Sequence, residues 1–207
     1  SNAAHAITIT RNIIAGNMGD GIAIVGHASG GNTIRGNSIH SNVGLGIDLG
    51  GDGVTPNDNL DADVGPNDLQ NYPVLIAVAA GDTTRVVGLL NSLPNTTFTL
   101  DFYDSAELDP TGFGEGQRWL GAFEVTTDAL GSAEFDIELS GASAGGEYIT
   151  ATATSPDGST SEFSGGFIAT GRTAEAKLAF APPVGTHLMM VKNTGTDFIQ
   201  GEFANLK

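Results

Sequence analysis

Asn12-Ile13-Ile14-Ala15-Gly16-Asn17 and Asn37-Ser38-Ile39-His40-Ser41-Asn42 decide the fold class, because they stand 25 residues apart with Asn, Ile and Asn in matching places. The same shift sets Gly21 on Gly46, Ile22 on Ile47 and Ile24 on Leu49. Self-similarity at a fixed period of this length marks a repeat architecture, in which each unit buries its apolar side only against its neighbours. Within a unit the apolar residues lie two apart (Ile7 and Ile9, Ile22 and Ile24, Ile47 and Leu49), which is strand periodicity, and Gly or Asn separates the pairs. Short strands joined by tight turns, winding once round an apolar interior per repeat, make a parallel β-helix coil. The repeated asparagines then have two expected roles: left-handed backbone geometry at the turns, and amides hydrogen-bonded to their copies one coil away.

Outside the repeat, composition bounds the possibilities. The chain has 207 residues, 40% of them hydrophobic, enough for one or two domains with real cores. Acids outnumber bases 24 to 8, a formal net charge of −16, so neither nucleic acid nor an anionic membrane is expected as a partner and cations are the more natural ones. The absence of cysteine excludes disulfides and thiol chemistry. No apolar run approaches bilayer length, so no membrane insertion is expected. Ser1-Asn2-Ala3 reads as the remnant of a cleaved tag, and any export signal is expected upstream of it.

Beyond Leu49 the repeat gives way to a Gly- and Pro-rich stretch in which Asp48, Asp52, Asp58, Asp61, Asp63 and Asp68 fall with no Lys or Arg among them. Two readings stand side by side: a solvated loop closed by Asx turns, or carboxylates gathered round a hard cation. On the second reading Asp52, Asp58, Asp61, Asp63 and Asp68 are the candidate calcium ligands, the spacing of 58, 61 and 63 suiting it best. The offsets are not those of an EF-hand. No other cofactor is expected.

From Val74 onward, alternating apolar runs separated by turn signals predict strands near 74–80, 84–91, 96–103, 119–126, 132–140, 147–154 and 161–169. Phe98, Leu100 and Phe102, then Phe135, Ile137 and Leu139, supply core faces of period two. Seven such strands suit an immunoglobulin-like sandwich. Trp119 with Phe113 is a candidate sugar-stacking platform, although core packing is the expected use of a lone Trp that begins a strand.

The segment 32–42 (NTIRGNSIHSN), followed by Gly46-Ile47-Asp48-Leu49-Gly50, resembles the final coil of the right-handed parallel β-helix repeats in bacterial surface and polysaccharide-processing proteins. Gly46 to Leu75 is similar to the connector that follows such a coil. Asp109-Pro110-Thr111-Gly112-Phe113-Gly114-Glu115-Gly116-Gln117 with Leu120-Gly121, and Thr150 to Thr154 through Thr160-Ser161-Glu162-Phe163-Ser164, resemble signatures of sandwich modules placed after that connector. The resemblance covers about residues 32–165 and implies an all-β chain. Its expected parts are a tag remnant at 1–3, the last two coils of a right-handed parallel β-helix at 4–51, an acidic capping connector at 52–73, an immunoglobulin-like antiparallel β-sandwich at 74–170, and a truncated further β-repeat or extra hairpins at 171–207. More coils are expected upstream. The connector is expected to cover the open end of the coil core with Leu69, Tyr72 and Val74.

For function, the resemblance implies a structural or adhesive module of a large secreted bacterial cell-surface protein, calcium-stabilised at the joint and without catalysis of its own. The expected partners are neighbouring domains of the same parent chain and surface glycans or other cell-surface proteins. The alternative is a non-catalytic glycan-binding part, or the C-terminal part, of a β-helix polysaccharide lyase or hydrolase. Such lyases need calcium and a basic residue, and inverting hydrolases need paired carboxylates with a water between them. Arg11 and Arg35 are offset by 24, one short of the repeat, and Asp20, Asp48 and Asp52 with His27 or His40 fall on terminal coils rather than midway along a groove. Phosphate-loop and HExxH motifs are absent.

Overall fold

The computed structural model describes residues 6–26 and 29–171. The tag-like opening, His27, and all but the first residue of the further β-repeat or extra hairpins expected at 171–207 lie outside the described residues. The described residues are essentially all-β with several sheets, the exception being one 3-10 turn at Pro66–Leu69. Its first part holds six strands of three residues: β1 Thr8–Thr10, β2 Ile13–Ala15, β3 Ile22–Ile24, β4 Thr33–Arg35, β5 Ser38–His40 and β6 Ile47–Leu49. They pair as β1 with β4, β2 with β5 and β3 with β6, all parallel, each residue beside its copy 25 positions on. Three residues hold little by themselves, so the register rests on the side chains. Ile9, Ile14, Ile22 and Ile24 join Ile34, Ile39, Ile47 and Leu49 in one apolar interior, and a slip of one residue would turn that set outward.

The corners separate two jobs that the sequence reading had given to the asparagines together. Left-handed φ falls at Arg11, Gly16, Gly31, Gly36 and Ser41, in each case one residue before a ladder position, and not at Asn12, Asn17, Asn37 or Asn42. The left-handed residue turns the chain, and the following N–H then points along the stack. There it meets an amide oxygen: Asn12 donates from both its backbone and its side chain to Asn37 Oδ1, and Asn17 does the same to Asn42 Oδ1. The Asn37 and Asn42 amides reach back to the carbonyls of Ile9 and Ile14. The expected ladder is present, and the expected left-handed asparagines are corrected.

The later strands are β7 Val74–Ala80, β8 Thr84–Asn91, β9 Thr97–Ser105, β10 Arg118–Thr126, β11 Ser132–Leu139, β12 Tyr148–Thr154, β13 Phe167–Ile168 and β14 Thr170–Gly171. They form two four-stranded sheets, ordered β10-β9-β12-β13 and β11-β8-β7-β14, around a sandwich-like core. Phe98, Leu100, Phe102, Ile149, Ala151 and Ala153 from one sheet meet Val86, Leu90, Phe135 and Ile137 from the other. Phe102 and Phe135 touch edge to face at 5.8 Å. The first six expected strands stand within two residues of their places, but of the seventh, at 161–169, only Phe167–Ile168 forms a strand. Ser161 and Ser164 instead lie beside β12 and offer their hydroxyl oxygens to the N–H groups of Ala153 and Ala151, side chains standing in for a ladder. The chain then adds β13 to one sheet and β14, parallel to β7, to the other.

The outer face of the sheet containing β9 packs on the windings. Tyr103 and Phe163, in edge contact at 5.3 Å, belong to the apolar interior of the coils. This corrects the expected cover: Leu69 does pack on that interior, but Val74 is exposed and Tyr72 sets its ring against Phe113 at 5.5 Å. The residues that complete the core come from further along the chain. The described residues to Gly171 belong to one compact unit. Phe163→Ala is therefore expected to lower unfolding free energy by about 3–5 kcal/mol, read as a lower denaturant midpoint in one transition that takes coils and sandwich together.

Candidate metal centre

Residues 57–63 form a loop held by amides. Asn71 accepts the Asp58 N–H and donates to the carbonyls of Asp58 and Asn91, while Asn57 and Tyr72 bridge the base of the loop. Leu60 and Asp61 take left-handed φ, 64° and 56°, a conformation that Asp tolerates better than Leu and that is sustained here by the surrounding bonds. The Leu60 N–H, for example, is fixed by Asn91 Oδ1 at 2.8 Å. That turn brings carboxylate oxygens of Asp58, Asp61 and Asp63 within 4.8 Å of one another. Calcium–oxygen distances of 2.3–2.6 Å allow ligands on opposite sides of one ion to be about 5 Å apart, so the three fit a single calcium shell.

The three carboxylates differ in what already satisfies them. Asp61 accepts the Asn71 N–H at 2.9 Å on one oxygen and the Gln70 amide at 2.6 Å together with the Ser92 hydroxyl on the other. Among the described residues Asp58 accepts the Ala62 N–H alone, shared between both oxygens. Asp63 Oδ1 is buried with no hydrogen-bond partner among the described residues. A buried orphan oxygen is costly unless something electropositive meets it. Burial raises the Asp61 carboxyl to about 6 against the pull of its donors, and the neighbouring Asp63 and Asp58 charges add to the rise. Burial likewise raises Asp63, with Asp58 adding to it. A divalent cation would relieve all three.

The other two candidate ligands stand elsewhere. Asp68 accepts the Ser159 hydroxyl at 3.1 Å, and exposed Asp52 lies on an open groove of about 390 Å³ with Leu49, Val54 and Leu69. Of the carboxylates weighed for catalysis, Asp20 and Asp48 serve the backbone. Asp20 accepts the Leu45 N–H at 2.9 Å, and buried Asp48 accepts those of Gly51 and Gly53. Arg35 pairs with Asp101 of β9 at 2.5 Å.

Sequence reasoning missed three residues that finish the last winding. Asn67 Oδ1 accepts both the N–H and the amide of Asn32, and its own amide donates to the carbonyls of Asn32 and Thr160. The Glu115 carboxylate takes the N–H groups of Ser41 and Asn42 and the Asn42 amide. Glu162 takes the N–H groups of Leu49 and Thr55 at 2.9 Å each. Glu115 and Glu162 both fall inside the sandwich signatures, but a single Glu among Gly, Ser and Phe carries no mark of which backbone it will meet.

Glu162 is pushed up to about 7, chiefly by burial, while its backbone donors pull the other way and Asp48 adds to the rise. A carboxyl raised on folding binds its proton more tightly in the folded state, so its contribution to stability is present below the ordinary value of 4.5 and is lost as pH climbs through about 7. Asp61 acts in the same sense from 3.8 to about 6. Melting temperature is thus expected to be higher at pH 5.5 than at pH 8, and Glu162→Gln is expected to flatten that difference; an undiminished difference in the variant would refute the assignment. Compared with known proteins, the chain matches no family model, and no curated protein matches it.

Proposed function

We propose that this chain is a structural and adhesive module of a large secreted bacterial cell-surface protein. In this reading the last two coils of a right-handed parallel β-helix are closed by an immunoglobulin-like sandwich, and calcium held by Asp58, Asp61 and Asp63 stiffens the connector. The observation that carries the reading is the joint: coil interior and sandwich share Tyr103 and Phe163, and the final winding is bonded to the sandwich along its edge. Such a joint transmits force without a hinge, which suits a stalk. The orphan oxygen of Asp63 beside two further carboxylates supports the cation. Neighbouring domains of the parent chain and cell-surface glycans or proteins are the proposed partners. A lyase or hydrolase working through these windings gains less support, since Asp20 and Asp48 are engaged by backbone donors.

Calcium at about one hundred times its dissociation constant stabilises a folded protein by about 2.7 kcal/mol, or about 5–10 °C for a chain of this size. Melting the protein with millimolar calcium and then with chelator is expected to show that rise and its reversal. The Asp58→Asn, Asp63→Asn double variant is expected to show neither. An unchanged melt of the native chain would remove calcium from the reading.

A further inference from the structure

We propose that Trp119 is the platform of a binding site for neutral sugars, on which the apolar face of a pyranose ring stacks while Arg35 and Glu124 meet its hydroxyls. The proposal deepens the adhesive reading but stands on residues apart from the aspartate loop. Trp119 is the only tryptophan, and 48% of it is exposed, against the expectation that it would pack in the core. A β-bulge explains how it comes to be outside. Between Trp119 and Gly121 the register of β10 on β9 shifts by one residue, so that Leu120 turns into the core at 4% exposure while Trp119 faces outward beside Tyr103. Bulges of this kind re-aim single side chains.

The exposed ring is fixed in orientation. Its Nε1 donates to Asp101 Oδ1 at 2.8 Å, and the other oxygen of the same carboxylate holds Arg35 Nε at 2.5 Å. Asp101 is buried at 1% exposure and acts as a positioning residue only. A rigid aromatic loses little entropy on binding, and an indole combines an apolar surface with a polar edge. Ala122 and Glu124 pair with Asp101 and Thr99, so they share the outward face with Trp119, and β10 is the edge strand of its sheet, which leaves that face open along its border. Arg35 comes to this face from the last winding with a side chain one-third exposed. Its guanidinium carries donors beyond the one given to Asp101, and Glu124 supplies acceptors.

Charge selects the sugar class. Asp101 neutralises Arg35, Glu124 is negative and the whole chain carries −16, so a uronate polymer would be repelled where a neutral one is not. A tryptophan serving only to shield the Arg35–Asp101 pair would lie closed over it rather than half in water.

The single tryptophan makes the test direct, since the intrinsic fluorescence excited at its red edge reports this ring alone. The full chain is titrated with cellohexaose, maltohexaose, the hexamer of N-acetylglucosamine and oligogalacturonate, with calcium and again with chelator. The expected result is a saturable shift of the emission with at least one neutral oligosaccharide and none with oligogalacturonate. By calorimetry Trp119→Ala, a change on an exposed edge, is expected to weaken that binding at least about tenfold while the circular dichroism spectrum is kept. Absence of a saturable response to all three neutral sugars overturns the proposal, as do preference for the uronate or unaltered binding by the variant. Persistence of sugar binding in chelator, or a normal calcium melt without sugar binding, tells failure of one reading from failure of the other.

Discussion

The last winding of a stacked coil leaves a row of backbone N–H and C=O groups with no further winding to receive them, and the arrangement of the rest of this protein follows from satisfying that row. An unpaired buried backbone group costs about as much as a lost hydrogen bond, and an open strand edge also invites pairing with other chains. Here the groups are met one at a time. Gly31 N–H goes to the Ser159 hydroxyl, Asn32 to Asn67, Ile34 to the Thr160 hydroxyl, Gly36 to the Tyr103 hydroxyl, Ser41 and Asn42 to Glu115, and Leu49 to Glu162. Backbone meets backbone at Ile39, in a two-way bridge with Gly116, and at the carbonyls of Ser29 and Asn32, which accept the N–H groups of Asn67 and Thr160. Side chains from distant parts of the sequence therefore imitate a third winding without following its path.

That solution explains several features that look unrelated. The loop after β9 carries Glu115 and Gly116 to the edge, and the lack of a Cβ at Gly116 is required because one would meet Phe163 and Tyr103 at 2.7–2.8 Å. The stretch after β12 is serine- and threonine-rich because its hydroxyls must serve both the coil edge and β12. It cannot at the same time be a regular strand. The cost falls on buried carboxylates. Glu115 and Glu162 are 7% and 2% exposed with backbone N–H donors as their partners, and at Glu162 burial outweighs those donors and raises the carboxyl.

What was legible in the sequence follows the range of the interaction. The 25-residue repeat, the parallel register and the first six sandwich strands could be read because periodic apolar residues report local geometry and their own copies. The aspartate trio was readable as a trio because Asp58, Asp61 and Asp63 meet through one local turn. Asp52 and Asp68 were not separable from it, since composition does not show where a loop folds back. The missed elements all involve long sequence separations: Glu115 reaches 73 residues back to Asn42, and Glu162 reaches 113 back to Leu49. Trp119 was misplaced for a different reason. A bulge reverses the inward and outward alternation by one residue, and nothing short of the partner strand reveals it.

The side chains of Asn67, Glu115 and Glu162 bond to the coils at Asn32, Ser41, Asn42 and Leu49, their other partners among the described residues being Thr55 and Thr160. The terminator is accordingly blind to how many windings lie beneath it. Stack height and terminator are independent variables, so adding or removing a repeat beneath this winding calls for no compensating change in the piece that ends it.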